Sequence, residues 1–427
     1  MNPDHPNRKW WTLFAMCFAL FMIMLDNTIV NVALPSIQRS LKATPETLEW
    51  TVNAYVLTFA ALILLGGKLG DRFGRKRIFV VGLSLFTLAS LLCALSSSSE
   101  QLIAARAFQG IGGALMNPLS LSIIVSAFPR KQVSTAIGIW AGISGLGLAV
   151  GPLAGGFLVE HGNWSWVFYI NVPIGLIAAA VTLLSVDESS DPRTTSLDVP
   201  GTVLSTGGLF ALTYGLISST SHSWGNPQVF GFLVAAVALA GSFLLWESRT
   251  SQPMVPLSFF RIRAFSVSNM VAMLVGFAMF GVIFYITLYF QNVKGFSPLK
   301  AGVASLPMTM MILIVAPAAG RLVTKVGPRV LMSLGMLLMS SGLLALSTLG
   351  VHSSYNMVWP FYVLMGAGIS MTMPSLSSTA MGSVDPTKSG IASGVVNASR
   401  QVGGAMGIAV LGAIGAKVTG DAWRDTV

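Results

Sequence analysis

Thirteen apolar runs, each near the length of a bilayer span, alternate with short polar breaks, and that alternation leaves this chain very few folds. A membrane-spanning helix needs about 20 apolar residues. The runs begin near residues 11, 48, 78, 101, 133, 164, 199, 228, 265, 301, 330, 357 and 389. Backbone inside lipid must satisfy its own hydrogen bonds, so only helices or closed barrels cross. These runs are too long and too uniform for barrel strands, which alternate apolar and polar residues. The expectation is an all-α integral membrane protein. Composition agrees: 53% of the 427 residues are apolar and 9% are charged, against about 25% charged in soluble domains.

A net charge of +10 would suggest nucleic acid in a soluble protein. Here the cations sit in short loops, mostly on alternate breaks. With the N-terminus inside, 17 Lys and Arg fall on the inner side and 6 on the outer, the bias expected of cytoplasmic loops. No nucleic-acid partner is expected. Arg8 and Lys9 precede the first run, without a cleavable signal, and fit a cytoplasmic N-terminus in a cell membrane. Cys17 and Cys93 lie inside apolar runs and suggest neither disulfide nor metal. The sequence holds no Gly-x4-Gly-Lys-Ser/Thr and no His-Glu-x-x-His. Neither ATP-driven pumping by this chain alone nor enzyme chemistry is expected, and no cofactor or metal beyond a proton gradient as energy source.

Gly67 to Arg77 carries five cations and one acid between two apolar runs. Each charge costs roughly 2.5–3.5 kcal/mol at a helix centre, so this stretch is expected to be a tight inner turn. Gly67 and Gly74 suit a chain that turns sharply and lets helix ends approach. The pattern returns 253 residues later, from Gly320 to Arg329, with Thr324 in place of Asp71. Gly110-x-Gly112-x5-Pro118 likewise returns 256 residues later as Gly366-x-Gly368-x5-Pro374, and Gly138 as Gly394. The first six runs therefore map onto the ninth and later ones. The expected division is a six-helix half over 1–186, an inner connector over 187–198, an inserted helix pair over 199–248 and a second half over 249–427. Five helices are found in that second half, and a sixth is expected to be missing. Parallel repeats of six helices are one transporter plan, with substrate bound near the midplane between halves.

Asp26 is the clearest acid within a span, and an intramembrane carboxylate is a functional candidate by default; the alternative is a hydrogen-bonded structural Asp. Arg106 sits early in the fourth run. At 1.5 Å per residue both lie about 10 Å below the outer surface, placed to face each other across a cavity, Arg106 holding Asp26 in one state and releasing it in another. The alternative for Arg106 is bonding to carbonyls alone. Glu49, at the outer mouth of the second run, reads either as a second proton site or as a solvated cap. Arg400 is mid-membrane and has no repeat partner, so structural and substrate roles stay open; Asn31, Gln109 and Arg400 are the candidates for a substrate cavity. Gly138, Gly147, Gly151, Pro152, Gly155 and Gly156 stud the fifth run. Glycines four apart permit close helix contact, and Pro152 frees a carbonyl and invites a kink.

Together these motifs resemble the major facilitator superfamily, specifically its fourteen-helix drug:H⁺ antiporter branch. Gly67 to Arg77 is similar to its loop 2–3 motif, Leu102 to Ala114 to its helix 4 motif, Gly138 to Gly156 to its helix 5 antiporter motif, and Leu25 to Pro35 to its helix 1 motif. The resemblance implies proton coupling at Asp26 and Arg106. It implies a cytoplasmic gate at Gly67, Asp71, Arg72, Gly74 and Arg75, and an exporter's flexible bend at Gly147, Gly151, Pro152, Gly155 and Gly156. The sequence departs from the family where Ser165 stands between Trp164 and Trp166. The implied activity is export of a lipophilic, cationic or drug-like small molecule in exchange for protons, by a monomer in the bilayer. Two rivals are an exporter of one natural product, lipid or amino acid, and a non-transporting sensor or inactive relative.

Overall fold

A computed structural model describes residues 7–190, 198–219, 222, 225–250, 253–350, 353–384 and 389–419. Each apolar run becomes a helical segment: α1 Arg8–Leu41, α2 Pro45–Phe73, α3 Arg75–Ala94, α4 Ser99–Ala127, α5 Arg130–His161 and α6 Trp166–Ser185, the last interrupted at Ile170. Then come α7 Val199–Ser218, α8 Pro227–Arg249, α9 Arg263–Val293, α10 (Pro298–Ala304, then Leu306–Val326), α11 Pro328–Leu346, α12 Tyr355–Gly382 and α13 Ser389–Thr419. Among the described residues, nine of these pass as membrane spans by length and composition, and α2 is a tenth if its bent parts are joined. The others, α5, α12 and α13, spend many positions on Gly, Ser and Thr, which suit helix contacts better than lipid. Residues 191–197 of the expected connector and the tail from 420 lie outside the described residues.

The expected loop at Gly67 to Arg77 is shorter than read. Helix α2 runs on to Phe73 and α3 begins at Arg75, so Gly74 alone makes the turn, at φ 108°. Gly327 does the same between α10 and α11 at φ 90°. Side chains rarely adopt either conformation. Gly67 lies within α2 at ordinary distance from Pro118.

Two halves share one packing plan. In the first, α2 and α3 pack on α4, and α1 on α5; in the second, α10 and α11 pack on α12, and α9 on α13. Glycines fix the distances. A β-carbon on Gly112 would lie 2.6 Å from the Phe86 nitrogen and 2.7 Å from the Gly82 oxygen. Its repeat partner Gly368 would meet the Met339 nitrogen at 2.7 Å and the Gly335 oxygen at 2.5 Å. Gly147 and Gly151 of α5 abut α1 from Phe21 to Ile29, as Gly403 and Gly407 of α13 abut Met273 and Phe277 of α9. The inserted pair α7 and α8 pack on each other, and α7 also touches α2 and α13. Exposed Phe230, Val234, Val237 and Leu244 give α8 the outward apolar face that lipid requires.

Between the halves, α2 packs on α13 and α5 on α10. Among the described residues, most hydrogen bonds between the halves lie at the bundle end away from Arg8, here termed the far end, while Lys68 Nζ donates to the Pro253 carbonyl at 3.4 Å near the other. Gln291 Nε2 donates to the Val32 carbonyl at 2.9 Å, Asn292 to Gln38 at 3.4 Å, and the Leu299 amide to Glu160 at 3.0 Å.

Candidate functional site

Asp26 and Arg106, both inside apolar helices, meet. Arg106 donates through one terminal nitrogen to Asp26 Oδ2 at 2.6 Å and to Gln109 Oε1 at 2.6 Å, and through Nε to the Thr51 carbonyl at 3.1 Å. Gln109 Nε2 and Asn171 Nδ2 donate to Asp26 Oδ1 at 2.9 and 3.1 Å. Asn171 is in turn held by Ser90 Oγ at 3.0 Å. The guanidinium carbon stands 4.3 Å over the Tyr55 ring, a cation–π contact that helps a cation away from water. Asp26 and Gln109 have no solvent exposure and Arg106 has 1%.

Asp26 and Arg106 were expected to face each other across a cavity; they are in direct contact. Desolvating such a pair costs several kcal/mol per ion, offset only by good geometry and further hydrogen bonds. Helices α1, α2, α4 and α6 all contribute to that offset. Gln109 bridges the pair, accepting from the cation and donating to the anion. Thr51, Ser90 and Asn171 went unread in the sequence. Asn171 has one legible signal, an amide inside an apolar run beside the break at Ile170.

The cavity lies elsewhere. It is narrow, about 40 Å³, and lies between α1, α5, α9, α10 and α12. Thr28, Asn31 and Thr309 supply polar atoms to a wall otherwise dominated by Met279, Ile283, Phe290, Met308 and similar side chains. Phe290 is presented by a single π turn, Tyr289–Val293, a local widening common at functional sites. Of the three cavity candidates, Asn31 lines this space while Gln109 and Arg400 do not. Asn31 and Asp26 are five residues apart, so they point about 140° apart around α1. One face of α1 holds the ion pair; another lines the cavity. Arg400 sits half-buried in α13, donating to Asn397 Oδ1 at 3.2 Å, with Nε buried and unpaired among the described residues.

Glu49 is not a solvated cap. It is 3% exposed, with Oε1 2.9 Å from the Tyr285 hydroxyl. At the opposite end Asp71 pairs with Arg75 one turn on, at 2.8 Å, while Arg72 lies over Phe73. Along α5, Gly156 lets the backbone of Pro298 and Leu299 approach, and the Pro152 carbonyl packs against Gly302. Gly155 abuts Ile29, and the surroundings of Gly138 lie outside the described residues.

The family model described as Major Facilitator Superfamily matches residues 16–408. The chain belongs to the Major Facilitator Superfamily. It is 38% identical over 419 residues to the tetracenomycin C resistance and export protein of Streptomyces glaucescens, covering 98% of this chain and 78% of that one. It is 37% identical over 404 residues to the multidrug resistance protein Stp of Mycobacterium tuberculosis, covering 94% and 75%. A bacterial homologue of the human lysosomal transporter Spinster, solved inward-facing and occupied, has the same fold with TM-score 0.69 at 17% identity, over 99% of this chain and 85% of that one. Membership makes this a multi-pass membrane transport protein, in keeping with its many apolar helices.

Proposed function

We propose that this superfamily member is a secondary active exporter that exchanges protons for lipophilic, cationic or otherwise drug-like compounds, within the fourteen-helix branch. The observation that carries the reading is a dry Asp26–Arg106 pair on the helix that also lines an apolar cavity between the halves. The relatives named for multidrug resistance and for tetracenomycin C resistance and export support the direction and the substrate class. The loop charges support a cytoplasmic N-terminus, and on that reading the far end is the outer one. Closed contacts there fit an inward-facing conformation, with Asp71 and Arg75 paired within their own turn rather than latching the second half. The protein works as a monomer in the plasma membrane, its halves 1–186 and 249–427 rocking about the cavity while residues 199–248 ride with them.

Coupling runs through α1. A proton on Asp26 removes the charge that Arg106, Gln109 and Asn171 hold, loosens α1 from α4 and shifts the Thr28 and Asn31 face in the cavity. Only different affinities in the two states can drive such a cycle. Carrying a population from 1:99 to 99:1 takes about 5.5 kcal/mol of differential binding, within reach of a buried ion pair and a desolvated ligand together. The test is proton-driven uptake of a lipophilic cationic dye into inverted vesicles. Wild type should accumulate dye until a protonophore is added, and Asp26→Asn should lose at least about 90% of the rate, on the scale of a tenfold loss for 1.4 kcal/mol. Undiminished uptake by Asp26→Asn sinks the assignment. The first relative's name points to one compound and the second's to many, so a narrow profile in a toxicity screen would favour the natural-product reading.

A further inference from the structure

The far end has two seams between the halves, related by the internal repeat, and they are built from different chemistry. In one, α10 meets α5: a β-carbon on Gly302 would lie 2.2 Å from the Pro152 carbonyl oxygen, so the two backbones touch. In the other, α2 meets α13. At the offsets of 253 and 256 residues, Glu49 occupies the place of Gly302 and Ile408 the place of Pro152. A carboxyl therefore stands where the first seam has nothing but backbone. Gly412 makes the slot for it, since a β-carbon there would lie 2.2 Å from Glu49 Oε1 and 2.5 Å from the Tyr285 hydroxyl.

The hydrogen atoms can be counted. The Tyr285 oxygen is 2.9 Å from Glu49 Oε1 and 2.9 Å from the Ile408 carbonyl oxygen. A phenol has one proton to donate and a carbonyl has none. Two full hydrogen bonds need a second proton, and the carboxyl of Glu49 is the group at hand that can carry it. The chain then reads Glu49 O–H to Tyr285 O–H to Ile408 C=O, each donor used once. Glu49 Oε2 is buried and has no hydrogen-bond partner among the described residues, a tolerable state for a neutral carboxyl and a costly one for an anion. Among the described residues, the charged and titratable groups near it are few: Tyr285 from α9, Glu46 one turn earlier on α2, and on α7 Tyr214, whose ring lies tilted against that of the neighbouring Trp50. From α13, the described residues facing it are Gly412 and Ile408. No cation among these neutralises a carboxylate.

We propose that Glu49, Tyr285 and Gly412 form a second proton-binding site, whose occupation seals the far end and whose deprotonation opens it. It is separate from the Asp26–Arg106 pair, which is held in this same conformation by a cation rather than a proton. The inference rests on the exchange reading above only for the direction in which the proton travels.

A cysteine pair at Gln38 and Asn292, whose side chains meet across the far end, reports closure through a short thiol crosslinker, with no substrate needed. Because closed binds one proton more than open, acid favours closed, and the closed-to-open ratio should fall about tenfold per pH unit above the midpoint. Glu49→Gln keeps a donor to Tyr285 and should crosslink at the acid level at every pH. Gly412→Ala fills the slot and should crosslink poorly throughout. An unchanged pH slope in Glu49→Gln overturns the site. Infrared titration gives a second readout: wild type should lose a protonated-carboxyl carbonyl band as pH rises, and Glu49→Gln should lack it. Absence of that band from acidic wild type also overturns the proposal. If crosslinking follows pH through Glu49 while dye uptake is absent, the exchange reading fails and this site stands; the reverse result removes this site and leaves exchange to Asp26.

Discussion

Helices α4 and α12 occupy equivalent places in the two halves, and the contrast between them separates what holds the fold from what does chemistry. Gly110, Gly112 and Pro118 of α4 recur as Gly366, Gly368 and Pro374 of α12, and they do the same work. A β-carbon on Gly110 would lie 2.4 Å from the Tyr55 carbonyl oxygen, and one on Gly366 would lie 2.4 Å from that of Met308, 253 residues further on. The side chains on that shared frame differ. Arg106 stands over Tyr55 and bonds Gln109 in the first half; at the same offset the second has Tyr362 and Met365, and both Tyr362 and Met308 line the cavity. Duplication kept the backbone contacts, which tolerate almost no change. The first copy spent its interior on an ion pair and the second on an apolar wall. Glycine positions report the fold, and departures from the repeat report function.

The largest expected effect tests that division directly. Arg106→Ala leaves Asp26 as an uncompensated buried charge and should cost about 3–5 kcal/mol. Tyr362→Phe, at the equivalent place, removes a hydroxyl from a cavity wall and should stay within about 1.5 kcal/mol. Unfolding in detergent micelles compares the two. Adding Asp26→Asn to Arg106→Ala should restore part of the loss, because the orphaned charge is gone. A double variant no more stable than Arg106→Ala would mean the cation matters chiefly through its packing on Tyr55 and Phe168.

Next in size are Gly112→Ala and Gly368→Ala. Each added methyl meets backbone atoms at 2.5–2.7 Å, and backbone cannot swing aside as a side chain can. Overpacking of this kind costs about 1–3 kcal/mol. The two variants should lose similar stability, within about 1 kcal/mol of each other, the scatter usual for such measurements. A one-sided loss, large in α4 and absent in α12, would show that the halves share geometry but not rigidity.

The sequence disclosed the shared frame more readily than the chemistry. The helices followed from run length, and the repeat from glycines at fixed offsets, because both are imposed by lipid and by backbone contact. Asp26 and Arg106 were legible since a charge inside an apolar run has few explanations. Gln109 was read as a cavity residue because an amide gives no sign of which helix it will face; here it bridges the ion pair. Thr51 contributes only a carbonyl, which no residue type announces. Glu49 lies near a helix end, where a second proton site and a solvated cap read alike, and its burial depends on Gly412, 363 positions away in the chain. The cavity wall was least legible, because Met279 or Ile283 facing a cavity reads the same as either facing lipid.

The smallest expected effect concerns an acid of the inner turn that the repeat did not copy. Asp71 has Thr324 as its counterpart, and in this conformation it pairs with Arg75 four residues on, both partly exposed. Partly exposed ion pairs contribute about 0.2–1 kcal/mol, and salt screens them further. Asp71→Thr, which makes the first turn like the second, should therefore leave the unfolding midpoint almost unchanged. If the turn is a gate, the same substitution should slow dye exchange several-fold, since the acid is then needed in the conformation where the near end closes. A stable, slow Asp71→Thr places its role in the closed near end. A stable variant of normal rate would mean the acid survives in one copy for reasons of insertion or topology, and the asymmetry between the two turns would then have no part in transport. Thr324→Asp sharpens the comparison: a second acid that leaves the rate unchanged would confine the gate to the first half.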